Sequence, residues 1–138
     1  ISQNCTKMEL SVYVDGSGGD NAGYGFFVKE TGDSFYEKKP GITNNQAEYT
    51  ALKLAVENAV TLGAKEVEIY MDSLLVINQM KGIFKVKNRD LWPLNQSIKE
   101  TCNKFKKVTF QHVPRELNKL ADAEVNKALD ANLAKNRL

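Results

Sequence analysis

The chain has 138 residues, which is enough for one domain with a single sizeable core. Its 42% apolar and 26% charged residues are typical of a soluble globular protein, and a net charge of +2 gives no argument for nucleic acid. No apolar run approaches the length that spans a bilayer and no basic-then-apolar leader is visible, so we expect no membrane contact.

The two cysteines and the first residues bear on the setting of the protein. Cys5 and Cys102 are far apart and outside any metal-like spacing, so free thiols in a reducing, cytoplasmic compartment are the first reading and a disulfide is the alternative. The chain starts at Ile1, which makes residues 1–7 either a leftover tail or a link to something larger. We expect residues 8–138 to form one domain, and the protein to be a monomer.

The first third of the chain predicts three strands. Alternating apolar residues over 8–15 predict the first strand, and a glycine-rich turn follows over 16–23. Residues 25–30 and 34–38 are separated by Thr-Gly-Asp, which predicts an antiparallel hairpin with a short loop.

A long helix follows. Thr43 and Gln46 have the spacing of a capping box, in which a threonine caps the helix and a residue three positions later caps the threonine. The helix is predicted to run to about Leu62 and to end at Gly63, because glycine is a good C-terminal signal.

The second half alternates strands and helices. A strand is predicted over 67–71, a short helix over 74–81, a longer helix over 90–105, a last strand over 108–113 and a last helix over 118–133. Strands joined through helices are usually parallel. The fold class is therefore α/β, with a five-stranded mixed sheet of three antiparallel and then parallel strands, flanked by helices.

Two aspartates stand where predicted strands end. Asp15 shares a strand face with Tyr13, and Asp72 shares one with Tyr70, because side chains alternate with a period of two. If the two strands are parallel neighbours, both carboxylates lie at the carboxyl ends, where open α/β sheets place their sites. A strand-end turn at Asp15 and a helix cap at Asp72 are the plainer readings.

Two further acids face inward from helices. Glu48 continues the apolar stripe of the long helix, one turn from its start, and Asp122 lies on the apolar stripe of the last helix. Glu48 also suits a helix first turn for purely electrostatic reasons. Four inward-facing carboxylates in one small chain are costly without a compensating charge, which favours a divalent cation.

Four short segments carry a resemblance to a known family. Residues 12–17 (VYVDGS), 43–48 (TNNQAE), 70–73 (YMDS) and 118–122 (NKLAD) resemble the corresponding motifs of type 1 ribonuclease H. The likeness runs from Met8 to about Leu129, and the combination of motifs is highly specific although DGS alone is weak. The chain looks like a short, archaeal-type member without the basic protrusion of many relatives.

The resemblance implies a reaction. It implies an endoribonuclease that hydrolyses the RNA strand of RNA–DNA hybrids and leaves 5′-phosphate and 3′-hydroxyl ends. Two Mg²⁺ ions, or Mn²⁺ in their place, would be the cofactors, since carboxylate oxygens suit such ions and two of them can support an in-line displacement. The implied metal ligands are Asp15, Glu48, Asp72 and Asp122.

The resemblance also implies contacts with the hybrid. Asn44 and Asn45 match positions in the minor groove near the scissile phosphate, where the 2′-hydroxyl distinguishes RNA from DNA. Plain helix capping is the alternative for this segment. Thr43 matches a position that binds a phosphate of the DNA strand, at a helix start with exposed N–H groups. The further expected substrate contacts are Asn21, Gly16, Ser17 and Ser73.

The chain departs from the family in its substrate handle and its catalytic loop. Only residues 82–88 stand where many relatives carry a basic helical insertion, and Lys81, Lys85 and Lys87 are expected to substitute in part, although a solvated lysine face is the simpler reading. His112 lies inside the last strand and does not match the family's loop histidine, so we expect a structural role for it. Arg115 stands in that loop instead, as in archaeal-type members, and is expected to assist catalysis.

Two further positions concern packing and recognition. Leu74 follows Ser73 where relatives often have glutamine, which removes one RNA contact. Trp92 aligns with a family tryptophan that packs in the core, so we expect packing rather than base stacking.

Two other functions remain open from the sequence. The first is a catalytically silent nucleic-acid-binding module on the same fold, since fold does not fix function. The second is the ribonuclease H domain of a reverse transcriptase or of another larger chain. The intact set of four acids favours an active enzyme.

Overall fold

The computed structural model describes residues 9–20, 22–114, 116 and 118–119. One sheet organises them, and its strands are β1 (Glu9–Ser17), β2 (Gly23–Val28), β3 (Ser34–Lys38), β4 (Glu66–Met71) and β5 (Lys107–His112). The strand order is β3-β2-β1-β4-β5. The first three strands pair antiparallel, whereas β4 pairs parallel with both β1 and β5. The predicted α/β fold class with a mixed sheet is confirmed.

Three helices are described: α1 (Asn44–Thr61), α2 (Leu74–Met80) and α3 (Trp92–Cys102). The predicted capping box is present at the start of α1, where the Gln46 N–H donates to Thr43 Oγ1 at 3.1 Å and the Thr43 N–H donates to Gln46 Oε1 at 2.9 Å. Gly63 follows α1 with a φ of 81°, the left-handed conformation that ends helices. No helix among the described residues is long and apolar enough to cross a membrane.

The core lies between one face of the sheet and the helices. Even-numbered residues of β1 and odd-numbered residues of β4 point to this face, as the period of two requires. Helix α1 packs across β1 and β2 and contacts α3. The largest buried side chains of this layer include Leu10, Leu52, Ile69, Met71, Ile77 and Ile98. The other sheet face carries Tyr13 and Tyr70, whose rings stack at 5.0 Å.

Element boundaries differ from the sequence prediction by more than one residue in β1, β2 and α3. Strand β1 continues past Asp15 to Ser17, and β2 begins at Gly23, because the glycine-rich segment pairs in the sheet before it turns. Helix α3 is shorter than predicted, since the chain after it turns so that the Lys106 N–H donates to the Lys65 carbonyl at 2.8 Å. The predicted last helix, 118–133, and residues 1–8 lie outside the described residues, apart from 118–119.

The expectation that Trp92 packs in the core is wrong. Trp92 is the first residue of α3 and is 56% exposed. The helix turns other residues inward, namely Asn95 and Ile98, and Leu91 immediately before it is buried. The apolar contact at the helix start is therefore made by Leu91, and the indole is left on the surface.

Candidate metal centre

The sheet register brings two aspartates together. Tyr13 pairs with Tyr70 and Val14 with Met71, so Asp15 and Asp72 follow one step further along the same two parallel strands. Asp15 is only 8% exposed, and its Oδ1 accepts a hydrogen bond from the Gly16 N–H at 2.9 Å. Asp72 is half-buried directly after β4. Both carboxylates stand at the carboxyl edge of the sheet, where parallel strands place functional groups.

Helix α1 supplies the third carboxylate, and two glycines let it come close. A Cβ on Gly16 would lie 2.6 Å from the Glu48 nitrogen, and a Cβ on Gly18 would lie 2.3 Å from the Asn44 nitrogen. Such distances are far below ordinary contact, so only glycine permits this approach of strand and helix. The Gly18 N–H also donates to Asn44 Oδ1 at 2.5 Å, which ties the helix start to the strand. Sequence reasoning had treated Gly18 only as part of a turn.

Asp15, Glu48 and Asp72 form one cluster. One carboxylate oxygen from each residue lies within 4.8 Å of those from the other two. Among the residues that the structure describes, this cluster brings three metal-ligating side chains within reach of one ion. Three carboxylates so close, one buried and two half-buried, repel one another unless a cation compensates them. Their hard oxygen donors fit a divalent cation of the Mg²⁺ type.

Asn118 was missed by the sequence analysis as a residue in its own right. Its side chain is buried, and its Nδ2 donates to the Val14 carbonyl at 2.9 Å. The bond ties the segment that leads to Asp122 to the residue immediately before Asp15. The sequence analysis included residue 118 only as part of a motif. Its hydrogen bond joins residues 104 positions apart, so no pattern in the neighbouring sequence predicts it. Asp122 itself lies outside the described residues.

The other expected site residues have different surroundings. Ser73 caps α2, because its Oγ accepts from the Val76 N–H at 3.3 Å, while Ser17 and Thr43 are exposed. His112 lies in the last strand as predicted, as its final residue, but it is exposed, so burial does not support a structural role. Asn21 and Arg115 lie outside the described residues.

A surface groove is lined by Asn45, which stands three residues before Glu48 on α1. It encloses about 520 Å³ and runs between α1, α2 and the segment that connects α2 to α3. Ile83 is 65% exposed at its edge, and Phe84 is also exposed. Sequence reasoning missed this pair, although two apolar residues between Gly82 and Lys85, outside any predicted element, were a usable signal. The lining residues are Asn45, Leu75, Gln79, Ile83, Phe84, Lys85, Lys87, Asn88 and Leu91.

The mixed sheet, the helix that closes on its central strand and the acidic cluster at its carboxyl edge define the class of protein. A family model described as reverse transcriptase-like matches residues 28–128. The chain belongs to this family. Its fold is that of a ribonuclease H-like domain, as the following structural matches confirm.

Named relatives sharpen the comparison. The bifunctional protein Rv2228c of Mycobacterium tuberculosis is 39% identical over 132 residues, which are 90% of this chain and 36% of that protein. Ribonuclease HI of Halobacterium salinarum is 38% identical over 119 residues, 86% of this chain and 54% of that protein. The chain therefore spans about a third to a half of the length of these relatives.

Solved structures agree with the sequence comparison. The N-terminal RNase H domain of Rv2228c, solved as a fusion with maltose-binding protein, matches with a TM-score of 0.86 at 33% identity, over 94% of this chain and 99% of that chain. LC11-RNase H1, solved in complex with an RNA/DNA hybrid, matches with a TM-score of 0.81 at 33% identity, over 90% of this chain and 99% of that chain.

Proposed function

We propose that this domain is an endoribonuclease that hydrolyses the RNA strand of RNA–DNA hybrids, leaving 5′-phosphate and 3′-hydroxyl ends. The observation that carries the proposal is the convergence of Asp15, Glu48 and Asp72 within 4.8 Å at the carboxyl edge of the sheet. The likeness to LC11-RNase H1, solved with an RNA/DNA hybrid, supports this choice of substrate.

The acidic cluster would hold the metal ions. Asp15 stands on the central strand, and Asp15, Glu48, Asp72 and Asp122 would together hold two Mg²⁺ ions. When bound, such ions supply an activated water and stabilise the leaving 3′ oxygen, and Mn²⁺ is the proposed substitute. For the three described acids, the protein's part is to hold the carboxylates at the carboxyl ends of two strands and on one helix.

Contacts with the hybrid are proposed for residues around the start of α1. Asn44 Oδ1 accepts from the Gly18 N–H, so the contact with the minor groove falls to its amide nitrogen. Asn45 lines the groove, and Thr43 is exposed at the helix start. The other proposed contacts are Gly16, Ser17, Asn21 and Ser73.

The groove suits a polyanion with an apolar sugar face. Lys85 and Lys87 line it together with Ile83 and Phe84, so positive charge and apolar surface lie side by side. Phosphate contacts of this type supply affinity without reading sequence. This short segment is proposed to replace, in part, the basic insertion that the chain lacks.

Arg115 is proposed to act on the phosphate. A guanidinium can hold a phosphate bidentately as charge shifts during cleavage, but it stays protonated and cannot serve as a general acid or base. We further propose that residues 8–138 act as one domain and as a monomer in the cytoplasm. The free thiol of Cys102 is consistent with a reducing compartment.

A catalytically silent binding module is disfavoured by the acids themselves. Such a module has no use for three mutually repelling carboxylates, and their loss would relieve repulsion in the folded state. The close approach at Gly16 and Gly18 would likewise serve no purpose without the acid that it brings to the strand.

The test is a cleavage assay on three matched duplexes. RNA–DNA hybrid, double-stranded RNA and double-stranded DNA of one sequence are compared with Mg²⁺ and with EDTA, and cleavage of the hybrid alone, in Mg²⁺ alone, is expected. An Asp15→Asn protein purified in the same way is the control against a contaminating nuclease. Hybrid cleavage that is absent, or equal in both preparations, would overturn the proposed function.

A further inference from the structure

Three polar side chains are buried where the three helices meet. Tyr49 of α1 and Asn95 of α3 are almost fully inaccessible, and Gln79 of α2 is 6% exposed. Burying such groups is costly unless each is hydrogen-bonded, and apolar residues of similar volume would fill the same space. Their presence therefore calls for an explanation other than stability.

The three side chains form one directed chain of hydrogen bonds. Asn95 Nδ2 donates to Tyr49 Oη at 3.3 Å, and Tyr49 Oη donates to Gln79 Oε1 at 2.6 Å. Asn95 Nδ2 also lies 3.4 Å from Met80 Sδ, next to Gln79 on α2. Each helix is thus bonded to the others through one hydroxyl.

This hydrogen-bond chain of Tyr49, Gln79 and Asn95, called the relay below, reaches the groove through Gln79. Tyr49 lies four residues after Asn45, which places the two on one side of α1 in successive turns, and it follows Glu48 directly. Gln79 lines the same groove as Asn45. Gln79 and Asn95 also line a second depression next to it, beside Trp92. A hydrogen bond at Tyr49 therefore fixes how α1 is rotated about its own axis relative to the rest of the groove.

We propose that Tyr49, Gln79 and Asn95 are positioning residues for hybrid binding, which hold α1 against α2 and α3 so that Asn45 and the groove wall contact the nucleic acid together. The proposal rests on the proposed function and adds to it the residues that keep the substrate groove in shape. It separates two tasks of α1: Glu48 serves the acidic cluster, whereas Tyr49 sets the substrate side of the same helix.

Tyr49→Phe is the direct test, because it removes one hydroxyl and leaves the ring. We expect KM for the hybrid, and Kd measured by fluorescence anisotropy in EDTA, to rise about five-fold, which is the scale of one hydrogen bond. The kcat in Mg²⁺ should stay nearly unchanged, since the acidic cluster is not touched. All measurements are made well below the melting temperature of each variant.

Tyr24→Phe is the matched control. Tyr24 is also buried, and its hydroxyl donates to Glu37 across β2 and β3, away from the groove. Its removal should lower stability but leave KM and Kd at the wild-type values. Gln79→Met removes the acceptor instead of the donor, and the double variant with Tyr49→Phe should be no worse than the poorer single variant.

The outcomes are distinguishable. If wild-type protein cleaves the hybrid and Tyr49→Phe behaves like Tyr24→Phe, the relay is only structural and this proposal is overturned. If Tyr49→Phe does not fold, an unchanged KM in Gln79→Met overturns it equally. If wild-type protein neither binds nor cleaves the hybrid, the proposed function fails and the relay proposal falls with it.

Discussion

The two ends of strands β1 and β4 are both rich in acids, yet they differ in kind. At the carboxyl end, Asp15, Glu48 and Asp72 converge within 4.8 Å under the first turns of α1. At the amino end, Lys107 and four glutamates line a shallow depression. The glutamates are Glu9, Glu30, Glu66 and Glu68. By the number of described acids alone, the amino end would be the better candidate for a metal site.

At the amino end, hydrogen-bond donors and solvent compensate the negative charge. Glu30 accepts from the Ser11 N–H at 2.6 Å, and Glu68 accepts from the Tyr70 hydroxyl at 2.6 Å. Glu9 is exposed, and the neighbouring Glu66 raises its pKa. Solvent and neighbouring donors screen these charges, so no ion is needed. What distinguishes the carboxyl end is burial and a helix pressed onto the strand, which the number of acids does not reveal.

The largest expected effect is a loss of activity at the carboxyl end, which a matched change at the amino end should not cause. Asp72→Asn keeps size and hydrogen bonding but removes a charge from the proposed metal site, so hybrid cleavage in Mg²⁺ should fall about 10³-fold, or about 4 kcal/mol in the barrier. The protein should stay folded, because one fewer acid lowers the repulsion in the cluster.

Glu68→Gln is the control at the amino end, with the same change from acid to amide. Its turnover should match the wild-type rate. Near-normal activity of Asp72→Asn, or an equal loss in both variants, would contradict the distinction between the two ends.

The second prediction concerns the close approach that only the carboxyl end possesses. Gly16→Ala would place a Cβ 2.6 Å from backbone atoms of Ala47 and Glu48, so the helix must move. We expect a loss of about 3 kcal/mol in unfolding free energy, measured by urea denaturation, and a loss of activity as Glu48 is displaced. Gly41→Asn, at an open position with a φ of 88°, should cost far less.

Part of this structure could be predicted from local sequence patterns. The period of two in β1 and β4 placed Asp15 and Asp72 on one edge, and the capping box at Thr43 fixed where α1 begins, because both depend on neighbours in the chain. Trp92 and Ile83 could not be placed in this way. Their exposure depends on which side of α3 and of the connecting segment meets the other helices, and that is decided by packing between residues far apart in sequence.

The site was predictable to the same extent. Strand ends pointed to Asp15 and Asp72, the apolar stripe of the long helix pointed to Glu48, and the resemblance added the motif of Asn118. The close approach at Gly18, the bond from Asn118 to Val14 and the buried relay at Tyr49 link segments separated by 26, 104 and 30 residues. Contacts of this range are invisible to periodicity.

The third prediction tests the loop that follows β5 at the carboxyl end. Arg115→Ala should lower kcat about ten-fold, or about 1.4 kcal/mol, with little change in melting temperature, because only the proposed phosphate contact is removed. Arg115→Lys should restore only part of the rate, since an ammonium cannot bind bidentately. An unchanged kcat in Arg115→Ala would make this residue an ordinary surface arginine.

The fourth prediction asks whether the start of α1 reads the substrate or only caps the helix. Thr43 is the cap, and Asn45 is the second residue of α1. Asn45→Ala should therefore raise KM about five-fold, the scale of one hydrogen bond, while the melting temperature hardly changes. Thr43→Ala should instead cost about 1 kcal/mol of stability. Activity that falls only in step with stability in Asn45→Ala would remove it from the substrate contacts.

The smallest expected effect lies at the amino end and depends on pH. Glu66 raises the pKa of Glu9 above its usual value of 4.5, first through their shared hydrogen bond and then through charge repulsion. The stability that protonated Glu9 contributes is present below pH 4.5 and is lost as the pH rises through the raised pKa of Glu9. Glu66→Gln removes the repulsion, so the variant should melt slightly higher than wild-type protein at pH 7 and equally at pH 4. Added salt should shrink the difference, because both groups are exposed or nearly so, and hybrid cleavage should be unchanged. A difference in melting temperature that is the same at both pH values would show that the two glutamates do not interact.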